Sequence, residues 1–253
     1  MNVETEFVRR RLPAGRVERV CLVVGVVLIG SGLVHLGLLV AGDGPWSGPV
    51  SWRKPATFGL SFGLTVLTVV WVSAYLPLTG RRRGVLLGVF ALDSCLEVAG
   101  ITLQAWRHAP SHVNRETPFD SAVSTVLGVG GVVLVVVLGL LAVAAFRARV
   151  APSMRLALRA GFVTLVIGLL SGAAMIARGV LVANGGDQQR AYEVLGFLKP
   201  VHGVSLHGVL VLPALAWLLT FTGWDEARRT RVVALGVVGY GLAVAAALVY
   251  SLV

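Results

Sequence analysis

The sequence contains few charged residues, two cysteines and two lysines, and these shortages exclude several classes of protein. Only 13% of the residues are charged, whereas 56% are hydrophobic and the mean hydropathy is +0.84. A soluble domain of this length cannot hide so much apolar surface in one core, but a lipid bilayer can. Cys21 and Cys95 form no C-x-x-C motif, which disfavours thiol redox chemistry and a zinc ribbon.

Seven apolar segments are each long enough to cross about 30 Å of hydrocarbon as a helix. The first segment is too long for a signal peptide and is interpreted as a retained helix. We therefore predict an all-α, polytopic membrane bundle, with residues 20–253 as one seven-helix domain after a basic tail of residues 1–19. The predicted spans are Val20–Ala41, Thr57–Leu78, Gly84–Trp106, Ser121–Phe146, Leu156–Ala183, Val201–Thr222 and Val232–Val253.

Arginine is concentrated in the loops on one side of these spans, and this asymmetry predicts the orientation. The N-terminus is expected in the cytoplasm and the C-terminus outside, in a bacterial plasma membrane. This placement explains the net charge of +10 through topology and anionic lipid, so the bilayer is the expected partner and nucleic acid is not. The arginines on the predicted cytoplasmic side are Arg9, Arg10, Arg11, Arg16, Arg19, Arg81, Arg82, Arg83, Arg147, Arg149, Arg155, Arg159, Arg228, Arg229 and Arg231.

Polar and ionisable residues inside the spans form the second pattern. A charged side chain at mid-depth costs about 2.5–3.5 kcal/mol or more, so such residues indicate a functional site. All five histidines of the chain are expected in or near the extracytoplasmic half. The residues concerned are His35, Asp93, Glu97, Gln104, Arg178, His202 and His207, with His108 and His112 in the adjacent loop.

Four polar residues of the third span share one helical face. Asp93, Glu97, Gln104 and, if the helix continues, His108 are spaced at i, i+4, i+11 and i+15. A polar stripe on a membrane helix is expected to face the interior of the bundle. Glu97 is the residue that we most expect to be functional.

Four chemistries fit these residue types. A b-type haem would take His35 with His202 or His207 as axial ligands. A transition-metal site would use His112, His202, His207 and Glu97. Glu97, beside Asp93, is suited to carry a proton or act as a general base, because burial disfavours its charged form. An anionic group would bind the cations Arg178, Lys54 and Lys199.

Each of these sites has a simpler alternative. His35 would serve equally well to hydrogen-bond a neighbouring helix, and Arg178 to reach the headgroup region. Lys54 and Lys199 each precede a proline and would equally mark the membrane interface where a span begins. Gly128 and the glycines after it are followed by no Gly-Lys-Ser/Thr, which excludes a phosphate loop and indicates helix packing.

Three strings resemble an uncharacterised family of bacterial, actinobacterial-type multi-pass membrane proteins. They lie at Trp46–Pro55, Leu96–Arg107 and Pro110–Asp120, and the similarity includes the late H-x4-H of His202 and His207. The resemblance implies membrane topology and implies no particular activity. The chain does not match, by motif, rhodopsins, rhomboid proteases or alkaline ceramidases.

The leading hypothesis is a metal or haem site in the extracytoplasmic half that supports redox or metal-dependent chemistry. The first alternative is a proton-coupled transporter that uses Asp93 and Glu97 and moves a small or lipid-soluble substrate. Pro213, which should kink the sixth span, and a weak repeat after the two Lys-Pro pairs favour this alternative. The second alternative is a membrane sensor or assembly protein without chemistry of its own.

Overall fold

A computed structural model describes residues 15–42 and 45–252, and these residues form nine helices and no strand. Arg9, Arg10 and Arg11 of the predicted tail lie outside the described residues, whereas Arg16 begins the first helix. The helices are α1 (Arg16–Ala41), α2 (Arg53–Ser73), α3 (Gly80–Trp106), α4 (Pro118–Phe146), α5 (Pro152–Asn184), α6 (Gln188–Val194), α7 (Lys199–Leu206), α8 (Gly208–Leu219) and α9 (Glu226–Leu252).

The seven predicted spans are confirmed as helical segments long and apolar enough to cross a membrane. Several helices begin before the apolar run, because polar residues occupy their first turn. Helix α4, for example, begins at Pro118, where the Thr117 hydroxyl accepts a hydrogen bond from the backbone N–H of Asp120. Helix α2 ends before the predicted Leu78, since Pro77 disfavours helical backbone at the residue before it.

The sixth span is divided at His207 into α7 and α8. The His207 ring nitrogen Nδ1 lies 2.7 Å from the Gly203 carbonyl, which the backbone N–H of His207 would use in a regular helix. That N–H instead bonds the Val204 carbonyl at 3.3 Å. Pro213 cannot donate to the carbonyl four residues before it, which weakens the same region. A side chain thus replaces a backbone donor and interrupts the span.

Helices α1 and α2 cross at very short range because glycines face each other. A Cβ atom built on Gly59 would lie 2.7 Å from the Cα atom of Gly32, and one on Gly32 would lie 2.5 Å from the backbone nitrogen of Leu60. Gly25 and Gly63 form a second close approach one to two turns along the pair. Such small residues allow backbone-to-backbone packing between membrane helices.

The bundle has two groups of helices joined by α4. Helices α1, α2 and α3 pack together, α5 packs against α7, α8 and α9, and α4 lies between α3 and α5. Helix α2 meets α8 near its C-terminal end, where the rings of Trp71 and Trp217 are 6.2 Å apart and perpendicular.

The two ends of the bundle differ in polarity. We call the end that begins α3 and α5 the arginine end, and the end that carries residues 107–117 the histidine end. The main apolar core lies toward the arginine end, in the C-terminal parts of α2 and α4 and the N-terminal part of α5. The buried His35, Glu97, Gln104, Ser111 and Asn114 lie at mid-depth or toward the histidine end. The buried histidine, carboxyl and amide side chains are therefore concentrated at mid-depth and toward the histidine end.

Candidate functional site

Two acidic side chains lie near the middle of α3, where the main apolar core meets these polar side chains. Asp93 is 6% exposed and Glu97 is 4% exposed, and they are one helical turn apart on the buried face of the helix. Gln104, 0% exposed, continues the same face. The predicted interior stripe is therefore present over these three residues, and we refer to Asp93 and Glu97 as the carboxyl pair.

The carboxyl pair converges on Gly130 of α4. A Cβ atom at Gly130 would lie 2.6 Å from Oε1 of Glu97 and 2.8 Å from Oδ1 of Asp93. The absence of a side chain at Gly130 thus provides the space that both carboxyls occupy. Oδ2 of Asp93 is buried without a hydrogen-bond partner, and the Glu97 side chain forms no hydrogen bond or ion pair among the described residues. Two unpaired acidic groups therefore share one small, low-dielectric space.

Lys54 of α2 is a cation that interacts electrostatically with Glu97 and with His112. Its ammonium forms no hydrogen bond or ion pair within 15–42 and 45–252, whereas its backbone N–H donates to the Ser51 carbonyl. Phe58 follows one turn later, and its ring stacks on Phe62 at 5.9 Å. Lys54, Phe58 and Phe62 are spaced at i, i+4 and i+8 and therefore share one face of α2. The charged residue lies at the start of the helix, and the two aromatic residues follow it.

Residues 107–117, which we call the roof loop, extend across the histidine end. Its first anchor is Asp120, which is 3% exposed. The Asp120 carboxylate accepts hydrogen bonds from Gln104 Nε2 at 2.8 Å, from Arg107 Nη1 at 2.6 Å and from Thr117 Oγ1 at 2.6 Å. Gln104 Nε2 also donates to the carbonyl of Pro110. Gln104 therefore fastens the loop to α3 and α4.

The second half of the roof loop packs between α4, α5 and α6. Val113 has φ +61°, a left-handed conformation that costs a β-branched residue about 1–3 kcal/mol. This turn buries the Val113 side chain beside Gly179 and directs its carbonyl to Gln188 Nε2 at 2.7 Å. The backbone N–H of Asn114 donates to Ser124 Oγ at 2.9 Å. The loop thus joins the two helix groups above the carboxyl pair.

This turn places His112 over α2. Its ring lies 6.0 Å from that of Phe58, and its Nδ1 is 3.0 Å from Ser111 Oγ. Burial and, secondarily, the charge of Lys54 hold the pKa of His112 well below its usual range. The imidazole is therefore neutral at pH 7, and its second ring nitrogen has no protein partner among the described residues.

We expect Asp120→Asn to loosen the roof loop, because the new amide cannot accept all three hydrogen bonds and places a donor against other donors. The loss should be about 1.5–3 kcal/mol of unfolding free energy. Hydrogen–deuterium exchange of peptides covering 107–117 should rise, and the thermal midpoint should fall. Glu193→Gln, on an exposed position of α6, is the control. Unchanged exchange in Asp120→Asn would contradict the anchoring role.

His35, predicted as a haem ligand, is occupied by structural contacts. Its Nδ1 lies 2.7 Å from the Ser31 carbonyl, and its Nε2 accepts a hydrogen bond from Trp106 Nε1 at 3.2 Å. Its ring also stacks on Trp52 at 5.9 Å. Both ring nitrogens are engaged, so the structure gives no support to His35 as an iron ligand and instead favours the simpler hydrogen-bonding role.

His202 and His207 face different surroundings from His112. His202 lies against Gly172 of α5, and its Nδ1 is 2.7 Å from the Gly168 carbonyl. His207 bonds back to its own helix through Gly203, as described above. Neither residue forms a hydrogen bond with the carboxyl pair or with His112 among the described residues.

The remaining predicted residues lie nearer the surface. Arg178 is exposed, with its guanidinium 4.6 Å from the centre of the Phe197 ring, which fits the alternative of reaching the headgroup region. Lys199 is exposed at the start of α7. His108 is also exposed and has φ +52°, because α3 ends at Trp106. The condition under which His108 would join the α3 stripe, continuation of the helix, is therefore not met.

The structure does not support the predicted metal centre. Within residues 15–42 and 45–252, no three His, Cys, Asp or Glu side chains come together in an arrangement that could hold a metal ion. The physical reason is the placement of the predicted ligands: His112 packs on α2, His202 packs on α5, and Glu97 faces Gly130. Each helix turns its histidine toward a different neighbour.

Gly130 and the roof loop belong to the site but were not predicted from the sequence. Gly130 was read with its neighbours as helix packing, although Gly128 and Gly131 have open space around them and only Gly130 meets the carboxyl pair. Ser111, Asn114 and Thr117, whose side chains can hydrogen-bond nearby backbone, were the available signal for an ordered loop.

Comparison of the chain with protein family models, with curated proteins and with solved structures finds no match in any of the three.

Proposed function

We propose that this protein is a proton-coupled carrier, in which the carboxyl pair takes up and releases a proton while a small substrate crosses the bacterial plasma membrane. In this proposal the arginine end faces the cytoplasm, as the positive-inside rule predicts. The observation that carries the proposal is the convergence of Asp93 and Glu97 on Gly130 without hydrogen-bond partners for Asp93 Oδ2 or for Glu97.

The energetics of this pair favour proton exchange. Two ionised carboxylates one turn apart repel each other, and burial removes the water that would stabilise either charge. One added proton relieves the repulsion and much of the desolvation cost, and it gives the pair a donor for an internal hydrogen bond. A purely structural acidic residue would instead have a permanent partner, as Asp120 has.

The architecture supplies two further supports. Buried polar side chains continue from the carboxyl pair toward the histidine end, while the Trp71–Trp217 contact and the main apolar core lie toward the arginine end. The interruption at His207 gives the sixth span two short helices, which is a frequent feature of transporters whose sites lie at mid-depth. Movement of the α5–α7–α8–α9 group against α1–α2–α3 would alternate the access.

Covalent labelling tests the proton-carrying role without knowledge of the substrate. Dicyclohexylcarbodiimide is apolar and reacts with protonated carboxyls in membranes. We expect it to modify Glu97 in the native protein, as read by peptide mass spectrometry. The labelling should decrease as the pH is raised, since deprotonation removes the reactive form, and it should be absent in Glu97→Gln. The Glu193→Gln control should label like the wild type.

Proteoliposomes containing a pH-sensitive dye provide the functional measurement. A panel of small organic ions is added in turn under an imposed pH gradient. At least one of them should change the lumenal pH faster in wild-type vesicles than in empty vesicles, and none should do so with Glu97→Gln or Asp93→Asn. A Glu97 carboxyl that labels only after unfolding, together with dye responses equal to those of empty vesicles, would refute the proposal.

A further inference from the structure

A groove with a volume of about 360 Å³ lies between α1 and α3 at the arginine end of the bundle. It extends along α1 from Arg16 to Val24 and along α3 from Gly88 to Cys95. Eight residues of helix rise about 12 Å, and the hydrocarbon of one leaflet is about 15 Å thick. Val20, at the edge of the groove, is 55% exposed, so the open side of the groove faces the surface where lipid would lie.

Two contacts between α1 and α3 hold this groove in shape. The Cys21 thiol, which is 1% exposed, donates to the Leu87 carbonyl at 3.5 Å. Nearer the arginine end, the Arg83 guanidinium lies 3.1 Å from the Glu18 carboxylate. A Cβ atom built on Gly88 would meet one methyl carbon of α1 at 3.8 Å and no other atom within 4 Å among the described residues. The groove is therefore formed in advance of any ligand, and a missing side chain keeps it empty.

Arg16 gives the groove a positively charged mouth. It is the one charged residue in the lining, and its guanidinium forms no hydrogen bond or ion pair among the described residues. Glu18 does not neutralise it, because its two carboxyl oxygens are engaged by the backbone N–H of Gly15 at 2.9 Å and by Arg83. The exposed Arg19 adds a second positive charge nearby. A negatively charged group is therefore favoured at this mouth.

We propose that the groove binds one acyl chain of an anionic phospholipid, whose phosphate pairs with Arg16. The other lining residues are apolar or cysteine and suit a hydrocarbon chain, and the length of the groove covers most of one leaflet. A guanidinium can donate two parallel hydrogen bonds to a phosphate, and anionic lipids attract basic residues at the membrane surface. A second copy docked by the same face would bring arginines against arginines, which favours the lipid as the occupant.

Photocrosslinking in phosphatidylcholine nanodiscs tests the proposal. One probe is phosphatidylglycerol with a diazirine on one acyl chain, and the other is phosphatidylcholine with the same chain. Peptide mass spectrometry should place phosphatidylglycerol adducts on 17–24 and 88–95 in preference to α9, of which little is buried. The phosphatidylcholine probe should give a groove-to-α9 adduct ratio about fivefold lower, the factor that one basic residue contributes to attraction by anionic lipid.

Two substitutions separate the headgroup from the chain. Arg16→Gln should lower the phosphatidylglycerol ratio to that of phosphatidylcholine, whereas the control Arg19→Gln, at an exposed arginine outside the lining, should retain most of the preference. Gly88→Leu fills the groove and should lower the ratio for both probes. Its control is Gly30→Leu, at an exposed glycine with open space around it, and this variant should label like the wild type. If Gly88→Leu does not fold, the result for Arg16→Gln decides the question.

Several outcomes would overturn the proposal. Equal ratios for the two probes would remove the headgroup preference, and adducts spread evenly over the groove and α9 would remove the site. A wild-type ratio in Gly88→Leu would show that the chain lies elsewhere. An unlabelled groove, together with a disulfide-linked dimer through Cys95 under mild oxidation, would assign the groove to a second copy. None of these results depends on the labelling of Glu97, so lipid binding and proton coupling can fail separately.

Discussion

Gly59→Val is expected to separate α1 from α2 and to destabilise the protein by roughly 3 kcal/mol or more. The atoms that a Cβ at Gly59 would meet are the Cα and nitrogen of Gly32 and the carbonyl of Leu28, all at 2.7–2.9 Å and all backbone. A backbone cannot rotate out of the way as a side chain can. The two helices must therefore move apart over the whole crossing, which also includes Gly25 and Gly63.

Gly30→Val is the matched control, because Gly30 is an exposed glycine in α1 with no atom within 4 Å of a built Cβ. Both variants replace a helical glycine by the same β-branched residue, so differences in helix propensity cancel. Thermal unfolding of the purified proteins should show a large loss for Gly59→Val and a small change for Gly30→Val. Equal losses in the two variants would show that the crossing does not determine stability.

Gly130→Ala, in contrast, should leave the stability of the fold nearly unchanged but displace the carboxyl pair. The atoms that its new methyl group would meet are the carboxylate ends of Glu97 and Asp93, at 2.6 and 2.8 Å. These side chains can rotate away, so the bundle should remain folded while the carboxyl pair is displaced. We expect the rate of carbodiimide labelling at Glu97 and the proton flux to fall by at least about tenfold, equivalent to about 1.4 kcal/mol.

Gly128→Ala and Gly131→Ala serve as controls for this variant, since both positions have open space where a Cβ would be placed. Both should keep wild-type labelling and flux. A Gly130→Ala protein that labels Glu97 at the wild-type rate would show that the approach of the carboxyls to Gly130 is not required for their reactivity.

The helical spans could be predicted from the sequence because lipid imposes a length and a composition on each of them. Helix N-termini could also be predicted from the sequence. At the start of α4, for example, Thr117 is the N-cap, Pro118 follows it and Asp120 lies in the first turn. The interior position of Asp93, Glu97 and Gln104 followed from helical periodicity.

The partners of these residues could not be predicted, because periodicity gives the face of a helix and not the rotation of its neighbour. All five histidines were expected near the extracytoplasmic ends of the predicted spans, which suggested one shared metal or haem site. The structure instead distributes His35, His112 and His202 among α1, α2 and α5. The positive φ of Val113 likewise arises from tertiary contacts and has no local sequence signal.

The main apolar core lies toward the arginine end, and this position would determine how such a protein responds to voltage. An electric field across a membrane falls mainly over the region of low polarity, so the carboxyl pair would sit near one edge of the drop. A lone proton leaving it for the arginine end would cross most of the field, at about 2.3 kcal/mol for each 100 mV. A proton accompanied by a monovalent anion would carry no net charge through the field. The equilibrium distribution reached by such a transport cycle would then not depend on the membrane potential.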